Sequence, residues 1–200
     1  MGASNNRSVR ASLAIVIGLV MAAPAAAQNK GVELNGFAGL YAPLDVNGRE
    51  GSREAVRRGS LAFGGRLGYW SGGLLGFEAV GAFSQARMRV TLNNGGQFAR
   101  GTYFGAGGGK LMLNLTPKSS LLGLAIGGGP ALVMFGKSVT AANEKDSYVG
   151  GVAGATLRLN VGQNVALRGD AEDFLYSADF GLGKKLRHDI LLSGGISIQF

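Results

Sequence analysis

Ser193-Gly194-Gly195-Ile196-Ser197-Ile198-Gln199-Phe200 is the stretch that decides the fold. In an extended chain Ile196, Ile198 and Phe200 fall on one face, Ser197 and Gln199 on the other. Strict alternation marks a strand between two different environments. An apolar outer face and a polar inner face, closing on an aromatic residue, is how a transmembrane β-barrel is expected to finish.

Working back from that strand, eight segments alternate or nearly so, at roughly 31–43, 60–70, 74–90, 102–115, 120–135, 147–160, 165–177 and 186–200. Three connections are short: Ser71-Gly72-Gly73, Thr116-Pro117-Lys118-Ser119 and Val161-Gly162-Gln163-Asn164. The other four are longer: Leu44 to Gly59, Thr91 to Gly101, Gly136 to Asp146 and Ala178 to Lys185. Long and short alternate strictly, as periplasmic turns and extracellular loops do in outer-membrane barrels. The expected fold is therefore all-β: an eight-stranded antiparallel up-and-down transmembrane barrel with both ends on the periplasmic side.

The alternation also assigns each residue a side. Leu61, Phe63, Leu67 and Tyr69 share one face of the second segment, with Arg66 on the other. Leu75, Phe77, Ala79 and Phe83 oppose Glu78 in the third. Val165, Leu167, Ala171 and Leu175 oppose Arg168, Asp170 and Glu172 in the seventh. A charge at mid-membrane on the lipid face costs roughly 2–4 kcal/mol, so the charged faces must look inward. The inward set is Glu33, Glu78, Asp170, Glu172 and Asp189 against Arg66, Lys110, Arg158, Arg168 and Arg187. Balanced signs predict mutual neutralisation and a plugged polar core. A hairpin centred on Gly72 places Arg66 directly opposite Glu78, within cross-strand reach. Asp173 is a misfit, since its phase is outward.

The other end of the chain points the same way. Arg7 and Arg10 precede an apolar run, Ala11 to Ala23, and Ala25-Ala26-Ala27 offers small residues for cleavage. Residues 1–27 read as a cleaved signal peptide and 28–200 as the barrel. The apolar run is shorter than the ~20 residues a spanning helix needs. Glycine contributes 36 of 200 residues, without the period of collagen, and suits curved strands around a narrow lumen. There is no cysteine, so disulfides and thiolate metal sites are excluded. Losing Arg7 and Arg10 lowers the formal charge from +8 to about +6. With an export signal that charge points to anionic lipid headgroups rather than nucleic acid.

The chain resembles the small eight-stranded outer-membrane β-barrel family typified by the OmpA transmembrane domain and OmpX-like proteins. The likeness rests on Gly36-Phe37-Ala38-Gly39, Gly65-Arg66-Leu67-Gly68-Tyr69-Trp70, Gly76-Phe77-Glu78-Ala79 and Val165 to Glu172. The C-terminal stretch resembles the signal that outer-membrane assembly machinery reads. Ser193, Gly195 and Phe200 fit it, while Ile198 stands where an aromatic is usual. The resemblance implies the barrel-assembly machinery and periplasmic chaperones as partners during biogenesis. It implies no activity.

Catalytic and cofactor motifs fail one by one. His188 is the single histidine; its phase is outward, near the extracellular rim, beside Arg187 and Asp189, and Ser193 lies on the opposite face. Gly105-Ala106-Gly107-Gly108-Gly109-Lys110 lacks the Ser or Thr and the helix of a phosphate loop. Asp170 and Glu172 share a face with Arg168 and read as a salt-bridge cluster. No enzyme, metal or cofactor is expected. Pro130, in mid-strand, predicts a bulge or, failing that, a lateral opening for a lipid chain. Arg49, Arg53, Arg57 and Arg58 in the first long connection, with Lys184 and Lys185 in the last, suit lipopolysaccharide phosphates, which guanidinium groups grip in bidentate fashion. The expected role is structural or adhesive, in a monomer. A narrow pore and a lipid-modifying enzyme are the alternatives.

Overall fold

The computed structural model describes residues 31–44, 48–50, 53–57, 59–72, 74–91, 97–116, 120–136, 147–178 and 185–200. Ten strands follow in order: β1 (Gly31–Pro43), β2 (Gly48–Glu50), β3 (Arg53–Arg57), β4 (Ser60–Trp70), β5 (Leu75–Thr91), β6 (Gln97–Asn114), β7 (Leu122–Phe135), β8 (Ser147–Asn160), β9 (Val165–Ala178) and β10 (Lys185–Gln199). β1 pairs with both β4 and β10, and β5 with β6, so eight antiparallel strands close into a barrel. Closure leaves no unpaired edge among these eight, which is what a membrane demands of a sheet.

The remaining two strands correct the reading of 44–59 as a plain connection. β2 and β3 form a hairpin, and β3 continues the wall by pairing with β5, from Glu54↔Thr91 to Arg57↔Met88. β5 and β6 run on together past the barrel proper, 17 and 18 residues long. The barrel therefore has a turn end, with the short connections, and a loop end, where this ribbon rises.

Alternation sets the faces as physics requires. Phe77 is 64 % exposed and Leu61 63 %, whereas Glu33 and Glu172 are 1 % exposed. An apolar outer belt over a charged interior inverts the pattern of a soluble protein and defines a barrel for lipid. The same phase governs β9, where Arg168, Asp170 and Glu172 are buried and Leu167 is exposed.

Two local expectations need correction. The β4–β5 hairpin is centred one residue later than the glycine pattern suggested, with Gly68 rather than Arg66 opposite Glu78. Gly72 takes a left-handed φ of 86°, and the Ser71 N–H and hydroxyl both reach the Leu75 carbonyl, which shifts the turn. Arg66 and Glu78 are thus diagonal neighbours, with 3.9 Å between Nε and Oε1. Pro130 makes no bulge. β7 pairs with β8 in one register straight through Pro130↔Gly151. On the other side β6 and β7 pair at Gly108↔Ala131 and Leu111↔Gly128, with no pairing between. The register is the same on both sides of the gap, so no extra residue has been inserted. The wall has a seam at Gly109-Lys110 and Gly129-Pro130, where proline has no N–H to donate. A Cβ at Gly129 would overlap the Gly109 carbonyl oxygen, which explains the glycine beside the proline.

Candidate functional site

The interior is the site, and it is built in layers. At the turn end Trp70, Met112 and Ala125 form a small apolar lid. Above it lie Glu33, Arg66, Glu78, Lys110, Arg158, Arg168, Asp170 and Glu172, every one of them buried. Towards the loop end the lumen becomes apolar, filled by Phe37, Tyr41, Phe104, Val133, Phe135, Phe174, Tyr176 and Leu191. The interior is therefore plugged, but polar only in part. The aromatic layer corrects the expectation of a polar core throughout.

The charged layer contains four carboxylates and four cations among the eight residues just named, so it can be neutral as a unit. Arg168 is its hub: Nη1 lies 3.1 Å from Glu33 Oε1 and 2.6 Å from Glu78 Oε2, and Nη2 lies 2.8 Å from Asp170 Oδ1. Arg66 reaches Glu172 at 2.6 Å and Asp170 at 3.2 Å. Lys110, directly across from Glu78 on β6, sits 2.9 Å from it and also contacts Glu172. Arg158 donates to Glu33 at 2.6 Å. Glu78 is held by charge rather than by well-aligned hydrogen bonds, since neither oxygen has one within these ionic contacts. Ions taken out of water are tolerated only with this density of partners.

Neutral polar groups complete the layer, and sequence reading had not singled them out for it. Arg66 donates to Asn35 Oδ1 at 2.9 Å and to Ser193 Oγ at 2.8 Å; Asn35 in turn donates to Ser197 Oγ at 3.2 Å. Thr156 donates to Asp170 Oδ1 at 2.6 Å. Trp70 Nε1 donates to Glu33 at 2.9 Å, tying the apolar lid to the charges. Small polar residues on the inward phase of a strand rich in charged neighbours were the available signal.

The two layers are joined by Arg66, whose guanidinium carbon lies 4.0 Å from the centroid of the Phe37 ring. Above, Tyr41 stacks on Phe104 with centroids 4.0 Å apart. Phe135 and Phe174 approach the same ring at 5.8 Å and 6.3 Å. Tyr176 hydroxyl donates to Asp189 at 2.8 Å, and Arg187 is buried on the same inward face.

Ser193, Gly195, Ile198 and Phe200, expected from the sequence to form an assembly signal, each have a place in the barrel wall. Ser193 serves Arg66, as above. A Cβ at Gly195 would overlap the Gly36 carbonyl oxygen and crowd the Asn35 amide. Ile198 pairs with Leu34 and Val165, and the Phe200 N–H donates to the Val32 carbonyl at 2.9 Å. Of the basic loop residues, Arg49 lies in β2, Arg53 and Arg57 in β3, and Lys185 opens β10, exposed. Arg58, Lys184 and residues 1–27, the expected signal peptide, lie outside the described residues.

Asp173 and His188 prove to be one feature. Both face outward, and His188 Nδ1 lies 2.8 Å from Asp173 Oδ2. The misfit acid on the lipid side has its partner on the neighbouring strand. Among the described residues no cluster of three or more metal-ligating side chains exists.

A closed eight-stranded antiparallel barrel with an apolar belt and a paired interior is the architecture of the small outer-membrane barrels. No protein-family model matches this sequence, and no curated protein matches it. Solved structures do match in fold. The outer membrane protein OprG of Pseudomonas aeruginosa superposes with a TM-score of 0.66 at 14 % identity, over 86 % of this chain and 96 % of that one. The N-terminal β-barrel domain of Pseudomonas aeruginosa OprF gives 0.55 at 11 % identity, over 86 % and 98 %. Neisserial surface protein A gives 0.54 at 11 % identity, over 86 % and 98 %.

Proposed function

We propose that this protein is a monomeric, non-enzymatic barrel of a Gram-negative outer membrane, with a structural and adhesive role. Residues 1–27 direct export and are removed; residues 28–200 form the barrel. Periplasmic chaperones and the barrel-assembly machinery deliver it, reading Ser193, Gly195, Ile198 and Phe200. Its loop end contacts lipopolysaccharide through Arg49, Arg53, Arg57, Arg58, Lys184 and Lys185. No nucleic acid, metal or cofactor takes part.

The observation that carries this reading is the filled interior. A pore needs continuous water, and two layers of buried side chains stand in series across the lumen: the ion-pair layer and the ring layer around Phe104. What is left to do useful work is the outer surface and the loop end. The basic ribbon supplies cations there, and guanidinium groups match phosphate geometry better than ammonium groups do.

The experiment is binding of the folded, detergent-solubilised barrel to a lipopolysaccharide-coated surface. Replacing Arg49, Arg53, Arg57 and Arg58 together by Ser is expected to weaken binding by at least about tenfold, the equivalent of one lost charge-assisted pair. The residual binding, left to Lys184 and Lys185, should also depend less steeply on salt. Unchanged affinity in a variant whose unboiled gel band still shifts on heating would rule out the arginine contact.

A further inference from the structure

The outer wall is not uniformly bulky. On its turn-end half lies a groove of about 710 Å³ that crosses β1, β4, β5, β6 and β7. The cross-strand registers order it. Tyr69, Phe77 and Leu111 stand opposite one another in one row, and Leu67, Ala79 and Gly109 in the next. The first row and Leu67 are walls; Ala79 and Gly109 are the floor. Pro130 closes the far side, next to the unpaired stretch of the β6–β7 ladder. A Cβ at Gly109 would meet nothing within 4 Å, so packing within the barrel does not require glycine there. Glycine weakens a strand unless something comes close to its backbone.

What lies behind the floor gives the groove its meaning. Glu78 and Lys110, both groove-lining and both buried, form their ion pair immediately inside. At Gly109 and the seam only backbone separates that pair from the exterior. Water reaching it would weaken the attraction, whereas an apolar occupant keeps the local dielectric low.

We propose that this groove is a seat for one acyl chain of a membrane phospholipid, lying over the seam and sealing the Glu78–Lys110 pair. The occupant follows from continuity: the groove opens onto the apolar belt, and its walls are apolar side chains of that belt. Three inter-strand steps of about 4.8 Å separate its end walls, Leu67 and Pro130, a span of about 14 Å that takes the middle stretch of one acyl chain. Its position in the turn-end half selects the phospholipid leaflet over the lipopolysaccharide one. This assignment rests on the membrane-barrel reading above.

The test is photocrosslinking in nanodiscs of phosphatidylethanolamine and phosphatidylglycerol, doped with a phospholipid bearing a diazirine in mid-chain. Adducts are mapped by peptide mass spectrometry. The Phe77–Ala79, Gly109–Leu111 and Gly128–Pro130 stretches should be labelled about tenfold more than the bulky, exposed Leu61–Phe63 stretch of β4, the preference that burial of roughly two methylenes confers. Gly109→Leu fills the floor and should remove this excess. Gly194→Leu, on the opposite wall where a Cβ meets only the Arg168 carbonyl oxygen at 4.0 Å, should leave it intact. Even labelling around an inserted barrel, or an excess that survives Gly109→Leu, overturns the site alone. A chain that fails to insert, with no heat-shifted gel band, overturns the barrel reading and the site with it.

Discussion

Arg168→Met is expected to lower the stability of the inserted barrel by about 3–5 kcal/mol, the range measured when one partner of a buried pair is removed. The physical cause is specific. Arg168 touches Glu33, Glu78 and Asp170 together, so its loss leaves three buried carboxylates sharing fewer cations. Methionine fills most of the volume, which isolates the charge from the packing. Arg168→Lys should recover only part of the loss, since one ammonium cannot bridge three acids with the geometry of a guanidinium. Urea unfolding from lipid vesicles, followed by the heat-shifted gel band, reads both. A midpoint for Arg168→Met equal to that of the parent chain would mean that the layer contributes nothing to stability.

Phe104→Ala is expected to cost about 3–5 kcal/mol as well, by a different route. Phe104 is fully buried and its ring meets Tyr41, Phe135 and Phe174, so truncation leaves a cavity among rings that cannot all collapse inward. The cavity is apolar and should stay dry. The ion-pair layer beneath is untouched, so the variant should be less stable in the same urea assay but no more conductive than the parent. An unchanged midpoint would show that the rings are loosely packed. Appearance of conductance would show that the charged layer does not close the lumen by itself.

The two layers were not equally legible in the sequence. Period-two alternation assigns faces, because a strand between lipid and lumen has two environments. The inward placement of Arg66, Glu78, Arg168 and Asp170 therefore follows from local pattern alone. Which inward residue meets which does not follow. Partners depend on strand stagger around the closed barrel, and closure is a property of all eight strands together. That is why Arg66 finds Glu172, 106 residues away, as well as its diagonal neighbour Glu78.

The aromatic layer went unread for a related reason. Tyr41, Phe104 and Phe174 lie on inward phases of three different strands, and nothing local announces that they stand at one height. The short β2 and β3 carry no long alternating run; their pairing depends on β5 extending beyond the wall. Pro130 was legible as a break in the ladder but not as a seam without a bulge, since register across a gap is held by the pairs on either side. Asp173 and His188 looked unrelated because fifteen residues separate them, and only the β9–β10 register makes them neighbours.

The central claim is a closed lumen, and single-channel recording from the refolded protein in a planar lipid bilayer tests it most directly. The two layers predict a folded, inserted and electrically silent barrel, with its heat-shifted gel band confirming insertion. Steady, reproducible unitary conductance from the same preparation would mean that water threads past Arg168 and Phe104. It would contradict the account and make transport the leading function.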